Sequence, residues 1–397
     1  MSCIVVPVAL LENDCSLINY LHMRKLYANW ITNWETQLTT ADTNRIVRPF
    51  EWGVEWTRTW PFVNGNYPQS AEAYEGYLHK LNETVVRHSH EFFSYDVPTD
   101  FRLERRKLQL FATRSRPQDE DKLKGKEGDF LRFTSPVSTP YPENNLMNAR
   151  WFPAKEKNGT KNKRAVIVLP HWNSDAISHN SICTALNWFG ISALRMSPPY
   201  HDIRRPAELT RADYAVSSNV ARTIDATRQA VIDMRCCLDW LAQQGYTQFG
   251  VMGTSLGSCY AFLASAHDER LSVNVFNHAS TYFADVVWTG QSTRHIRESF
   301  ETTIDLESLR RAWACISPTS YVDQFATAGP KKSLVIYAKY DLTFLPEFSR
   351  RVVEEFARRN FDFKAVELPC GHYTTGETPY KYLDGYHIVK YLVRAFT

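Results

Sequence analysis

The sequence predicts an α/β fold: a mostly parallel central sheet with helices on both faces. Three observations carry the prediction. From Ala165 to Phe396, short apolar runs alternate with segments of helical periodicity, and such alternation builds a parallel sheet covered by helices. One run, Phe249-Gly250-Val251-Met252, leads into Gly253-Thr254-Ser255-Leu256-Gly257 and then into the helix-forming stretch Ser258–Ala266. Two later runs are followed closely by Asp341 and by His372.

Ahead of this core the chain reads differently. Ile4 to Leu11 is apolar, but it is short, contains Pro7 and has no basic residue before it, so no secretory signal is expected. Asp14 to Phe111 reads as mostly helical and rich in aromatic residues. Trp30 and Trp34 are one helical turn apart, as are Trp52, Trp56 and Trp60, although Gly53 and Pro61 limit any helix there. These tryptophans are expected to dock the segment onto the body, in preference to lidding an acyl pocket. The charged, aperiodic stretch from Thr113 to Gly128 is the natural boundary. It divides the chain into a helical extension, residues 1–125, and a main domain, residues 126–397.

Phe130 to Ala154 suggests antiparallel edge strands. Lys155 to Arg164 contains Asn158-Gly159, a turn signal expected to form a hairpin tip. Ala165–Leu169 is the most apolar strand, followed by the loop Pro170–Ser174. Next come a helix near Ile182–Phe189, the strand Ala193–Met196 and a long helix, about Ala221–Gln243, with Ile224, Val231, Met234, Leu238 and Leu241 on one stripe. After the strand and helix around Ser255 comes the strand Ser272–Phe276. A mostly helical insertion, residues 284–330, has room for a small cap at most. Ser333–Ala338 is a strand; Pro346 opens a helix with Phe348, Val352, Val353 and Phe356 on one face. Phe363–Leu368 is the last strand, and a helix from about Tyr380 to Phe396 closes the core.

Strand, G-x-S-x-G and helix in succession describe a nucleophile elbow. The turn is so sharp that small residues are needed two before and two after the serine. A serine hydroxyl attacks only when a base takes its proton and an acid orients that base. His372 and Asp341 follow strands in the chain order Ser, Asp, His, at the sheet edge where ligands bind in open α/β folds. Asp285 is the reserve acid and His201 the reserve base. An oxyanion needs two backbone amides: Leu256, directly after the serine, and one from the loop after Leu169. Trp172 is favoured for the second, with Asn173 as the alternative.

Residues from about Asp129 to Thr397 resemble the alpha/beta-hydrolase superfamily, on Leu169-Pro170-His171, the Gly253–Gly257 motif, Asp341 and Gly371-His372. Within it the chain looks like a dienelactone-hydrolase or acetyl-esterase type enzyme. Ser197–Pro206 and Cys237–Leu241 are also similar to the alpha/beta-hydrolase-domain-containing protein 18 group. The resemblance implies the alpha/beta-hydrolase fold and a serine hydrolase, most often one acting on a carboxylic ester, with no cofactor or metal. Acyl transfer or peptide cleavage by the same residues, and a non-catalytic binding role, are the rivals.

Composition narrows the remaining classes. The 397 residues contain 44% hydrophobic side chains and have a mean hydropathy of −0.39, which excludes global disorder. A net charge of +3 from 46 basic and 43 acidic residues gives no reason to expect nucleic acid as a partner. No stretch is long enough to cross a bilayer; a small-molecule ester is the expected partner. The eight cysteines show no metal-binding spacing, and free thiols suit a cytoplasmic location. Cys259 and Cys370, near Ser255 and His372, are expected to be packing residues. Asn82 and Asn158 begin glycosylation sequons, which matter only in a secreted chain.

Overall fold

The apolar runs of the sequence line up side by side. The computed structural model describes residues 9–63, 65, 67–111, 123–155 and 163–397, with side chains from residue 20 onward. Within it the strands are β1 (Arg102–Lys107), β2 (Glu127–Thr134), β3 (Leu146–Phe152), β4 (Lys163–Leu169), β5 (Ile191–Met196), β6 (Tyr246–Thr254), β7 (Leu271–Asn277), β8 (Lys332–Ala338) and β9 (Asp362–Leu368). They form one sheet in the order β1-β2-β3-β5-β4-β6-β7-β8-β9. The first three strands and β5 pair antiparallel; β5, β4 and everything beyond run parallel.

Burial explains why these runs form strands. Val166, Val168 and Leu169 of β4 are fully buried, as are Val251 and Met252 of β6, because a parallel strand is covered on both faces and tolerates no polar alternation. Helices α1 (Ala9–Thr40), α2 (Tyr74–Arg87) and α3 (Ser89–Phe92) precede the sheet or its edge. Within the core lie α4 (Asn180–Trp188), α5 (Val220–Gln243) and α6 (Leu256–Ala266). The insertion folds as α7 (Phe283–Thr289), α8 (Arg294–Phe300), α9 (Leu306–Ala312) and α10 (Val322–Thr327), and the chain finishes with α11 (Pro346–Arg358) and α12 (Tyr380–Ala395). Asn219 caps α5 by accepting from the Arg222 amide, satisfying one of the orphan donors of a helix start.

Trp34 and Trp60 are packing residues, whereas Trp30 is half exposed. Buried Trp60 donates its indole N–H to Asp225 of α5 at 2.8 Å. Trp34 packs on Tyr380 of α12, with ring centroids 6.2 Å apart. Asn82 of α2 is fully buried; it accepts from the Cys315 amide and donates to the Leu78 carbonyl, both at 3.0 Å. Its sequon is closed to any glycan in the folded chain.

Two expectations change. Residues 102–107, placed by the sequence in the helical extension, are the edge strand β1. Its partner register sets Arg105 opposite Asp129, and Arg105 bonds both Asp129 and Glu127. An edge strand faces water and is charged, so it carries no apolar signal. The expected hairpin around Asn158-Gly159 is also corrected. Those two residues lie outside the described ones, but the flanking strands β3 and β4 are not neighbours, because β5 pairs between them. The boundary stretch from Thr113 to Asp121 and the N-terminal run Ile4–Val8 lie outside the described residues as well.

Candidate active site

β6 ends by turning abruptly into α6, and Ser255 occupies the turn with φ 57° and ψ −121°. A non-glycine residue held there is strained by about 1–3 kcal/mol. The strain persists because the surroundings fix it. The Ser255 amide donates to the Asn277 carbonyl at 2.8 Å. A Cβ on Gly253 would overlap the Gly257 carbonyl and come within 2.7 Å of the Ser258 nitrogen; one on Gly257 would lie 2.6 Å from the Pro170 oxygen. The two flanking glycines are therefore required by backbone approach, as the motif implied.

The structure brings Ser255, His372 and Asp341 together. His372 Nε2 lies 3.0 Å from Ser255 Oγ, and His372 Nδ1 lies 2.9 Å from Asp341 Oδ2. Asp341 follows β8 and is buried. Its other oxygen accepts from the amides of Thr343 at 2.8 Å and Phe344 at 2.7 Å. The Phe344 ring stacks on His372, 8° from coplanar. Burial works to raise the Asp341 pKa, but the neighbouring His372 and the bonds from His278 and His372 outweigh it and hold the carboxyl well below its ordinary value. An ionised Asp341 requires His372 to carry its proton on Nδ1, which leaves the Nε2 lone pair for the Ser255 hydroxyl. Burial pulls the His372 pKa down, yet Asp341, with a contribution from Glu35, raises it above the ordinary imidazole value.

A second imidazole shares the carboxylate. His278 follows β7, with φ 54°, and its Nδ1 lies 3.0 Å from the same Asp341 oxygen. Its ring is 4.5 Å from that of His372. Burial, and then repulsion by His372, lower its pKa. The residue stands at the end of a parallel strand, the same kind of position that singled out Asp341 and His372, so a wider search of strand ends would have found it. His278, Asp341 and His372 are also the described residues whose donor atoms converge closely enough for a metal ion. Both Nδ1 atoms are spent on Asp341, so an ion there would have to break both bonds.

The loop after β4 separates the two candidate amides. The Asn173 amide donates to His201 Nε2 at 3.0 Å and is committed. Among the described residues no acceptor engages the Trp172 amide. Leu256 opens α6, so its amide has no intrahelical partner. The Trp172 side chain packs by its indole N–H on the Ala212 carbonyl at 2.9 Å and by stacking on His295. His201 donates from Nδ1 to the Pro199 carbonyl at 2.9 Å, and burial lowers its pKa to about 4. It is a neutral brace for the loop and does not bond Ser255. Asp285, the other reserve, is held by Arg310 at 2.7 Å and Arg351 at 3.6 Å, away from both histidines.

Ser255 opens into a cavity of about 1320 Å³. Its lining includes Val286, Val287 and Pro318 of the insertion, and Ile182, Ala185 and Val389 of α4 and α12. Cys259 and Cys370 are buried beside the site. Cys370 touches the Thr375 hydroxyl at 3.2 Å and burial pushes its thiol up to about 12, so both read as packing groups rather than nucleophiles.

A family model described as alpha/beta hydrolase domain containing 18 matches residues 112–346, more than half of the chain. No curated protein matches. Among solved structures, acetyl xylan esterase 1 from Thermoanaerobacterium sp. is 14% identical with a TM-score of 0.53, covering 88% of this chain and 100% of its own. An acetyl xylan esterase from Paenibacillus sp. is 11% identical with a TM-score of 0.52, covering 82% of this chain and 96% of its own. Acylaminoacyl peptidase from Pyrococcus horikoshii is 10% identical with a TM-score of 0.52; the match takes in 70% of this chain but 43% of the peptidase. Identities this low establish a shared fold.

Proposed function

The chain belongs to the alpha/beta hydrolase domain containing 18 family, and from that premise we propose that it is a serine hydrolase that cleaves a carboxylic ester through an acyl-enzyme. The observation that carries the reading is the unbroken chain from Ser255 Oγ through the His372 imidazole to Asp341, at 3.0 and 2.9 Å.

In this reading His372 Nε2 removes the Ser255 proton as the oxygen attacks the ester carbonyl. Asp341 fixes the tautomer and stabilises the imidazolium. The Leu256 and Trp172 amides hold the oxyanion. His372 returns the proton to the leaving alcohol. Water, deprotonated by the same imidazole, then releases the acid and restores Ser255.

A fluorophosphonate tests the assignment directly. It is expected to label Ser255, and peptide mapping that places the adduct on another residue moves the nucleophile. The cavity is larger than the roughly 300–1,000 Å³ common for small-molecule sites. A series of p-nitrophenyl esters is therefore expected to keep its kcat/KM as the acyl group lengthens beyond acetyl; a collapse there would contradict the wide pocket.

His372 must be neutral to act, and its pKa is raised. A raised value means that protonation sets in at higher pH. Activity is thus expected to be lost as pH falls through a midpoint above the ordinary imidazole value of about 6.5, and a kcat/KM profile locates that limb. His201→Ala removes the acceptor of the Asn173 amide and frees the loop carrying Trp172. Its expected effect is a kcat lowered by up to about 100-fold, the lower end for a lost oxyanion donor, with KM changed less. Steady-state kinetics on a short ester separate the two parameters.

A further inference from the structure

We propose that Glu35, on the N-terminal helix α1, is a positioning residue that holds the His372 loop in its working geometry. The inference rests on the serine-hydrolase reading above. Glu35 is fully buried. Its carboxylate accepts from the Tyr373 amide at 2.9 and 3.1 Å, from the Thr374 amide at 2.9 Å and from the Thr374 hydroxyl at 3.0 Å. The same hydroxyl accepts from the Gly371 amide at 2.7 Å. The residues on both sides of His372 are therefore tied to one carboxylate.

The loop is shaped to receive this group. A Cβ on Gly371 would overlap the Glu35 carboxyl, so the glycine leaves the space that the carboxylate fills. The helix and the segment after it grip the loop at further points. Tyr27 donates to the Pro369 carbonyl and bonds the Tyr380 hydroxyl at 2.6 Å. Arg45 reaches the Tyr373 hydroxyl at 3.3 Å.

Glu35 also sets charge. The Tyr373 and Thr374 amides both donate to it, as an ionised carboxylate accepts, and they work against the burial that pushes its pKa up. The titratable groups that face His372 are Asp341 from the turn after β8, His278 from just after β7, His171 from the loop after β4 and Glu35 from α1. Asp341 and Glu35 are the anions among them. Cys370 and Asp341 are the other groups that feel the Glu35 charge. Removing that charge lowers the basicity of His372, and misplacing the imidazole slows proton transfer.

The test compares the full-length protein with Glu35→Gln and Glu35→Asp. The rate of fluorophosphonate labelling at Ser255 is followed against pH, beside a thermal melt. Glu35→Gln is expected to label about 10- to 100-fold more slowly and to shift the acid limb to lower pH. Glu35→Asp keeps the charge and is expected to return the limb towards that of the unsubstituted protein. A folded Glu35→Gln that labels at the original rate with an unmoved limb overturns the proposal. Loss of folding in both variants overturns it too, in favour of a purely structural role. If the unsubstituted protein is never labelled at Ser255, the hydrolase reading fails and takes this inference with it.

Discussion

Ser255→Ala is expected to abolish ester turnover and to leave the fold intact. The hydroxyl meets His372 at 3.0 Å, and alanine keeps the Cβ and the backbone amide that anchors the turn on Asn277. Nucleophile loss in an enzyme of this type lowers kcat by about 10⁶-fold. His372→Ala should cost about as much, and the double variant little more, because the groups act as a unit. Kinetics on a p-nitrophenyl ester, with circular dichroism as the check on folding, decide the matter. A Ser255→Ala protein retaining turnover within tenfold of the original would remove Ser255 from the chemistry.

Gly253→Ala and Gly257→Ala are expected to fail earlier, at the level of the fold. The added carbon on Gly257 sits 2.6 Å from the Pro170 oxygen, and that on Gly253 sits 2.7 Å from the Ser258 nitrogen. Both neighbours are backbone and cannot swing aside. Relief would require β4, β6 and α6 to separate, although all three are packed in the buried core. The expected cost exceeds about 4 kcal/mol, the range reserved for mutations that break a core or a strained turn. Soluble yield and denaturant melts measure it. A variant that expresses and melts like the original would mean that the turn can relax. An alanine at Gly65, where a Cβ would meet nothing within 4 Å, is a control for the glycine count alone, although its positive φ of 76° still imposes a local strain.

The sheet and the three remote residues were legible because each signal was local. Buried parallel strands such as Val166–Leu169 read as apolar runs, and Asp341 and His372 stand close after such runs. β1 was not legible: Arg102–Lys107 is charged, since it lies at a wet edge, and its pairing with β2 is written nowhere in its own sequence. The β5 insertion between β3 and β4 was hidden for a related reason. An Asn-Gly pair reports a turn, but not which strand its flanks will pair with. The sequence leaves Asn173 as an alternative to Trp172, because the bond that engages the Asn173 amide comes from His201, 28 positions away. Glu35 left no trace at all. A glutamate in a helix rich in polar residues looks like any solvated one, and its burial depends on a loop 338 positions downstream.

That separation has a kinetic consequence. Contacts between distant parts of a chain form slowly, because the intervening segment must be ordered first. While the polypeptide emerges from the ribosome, α1 waits with its carboxylate unmatched until Tyr373 and Thr374 have been synthesised. The fastening around His372 therefore closes only after the segments between α1 and that loop can be ordered.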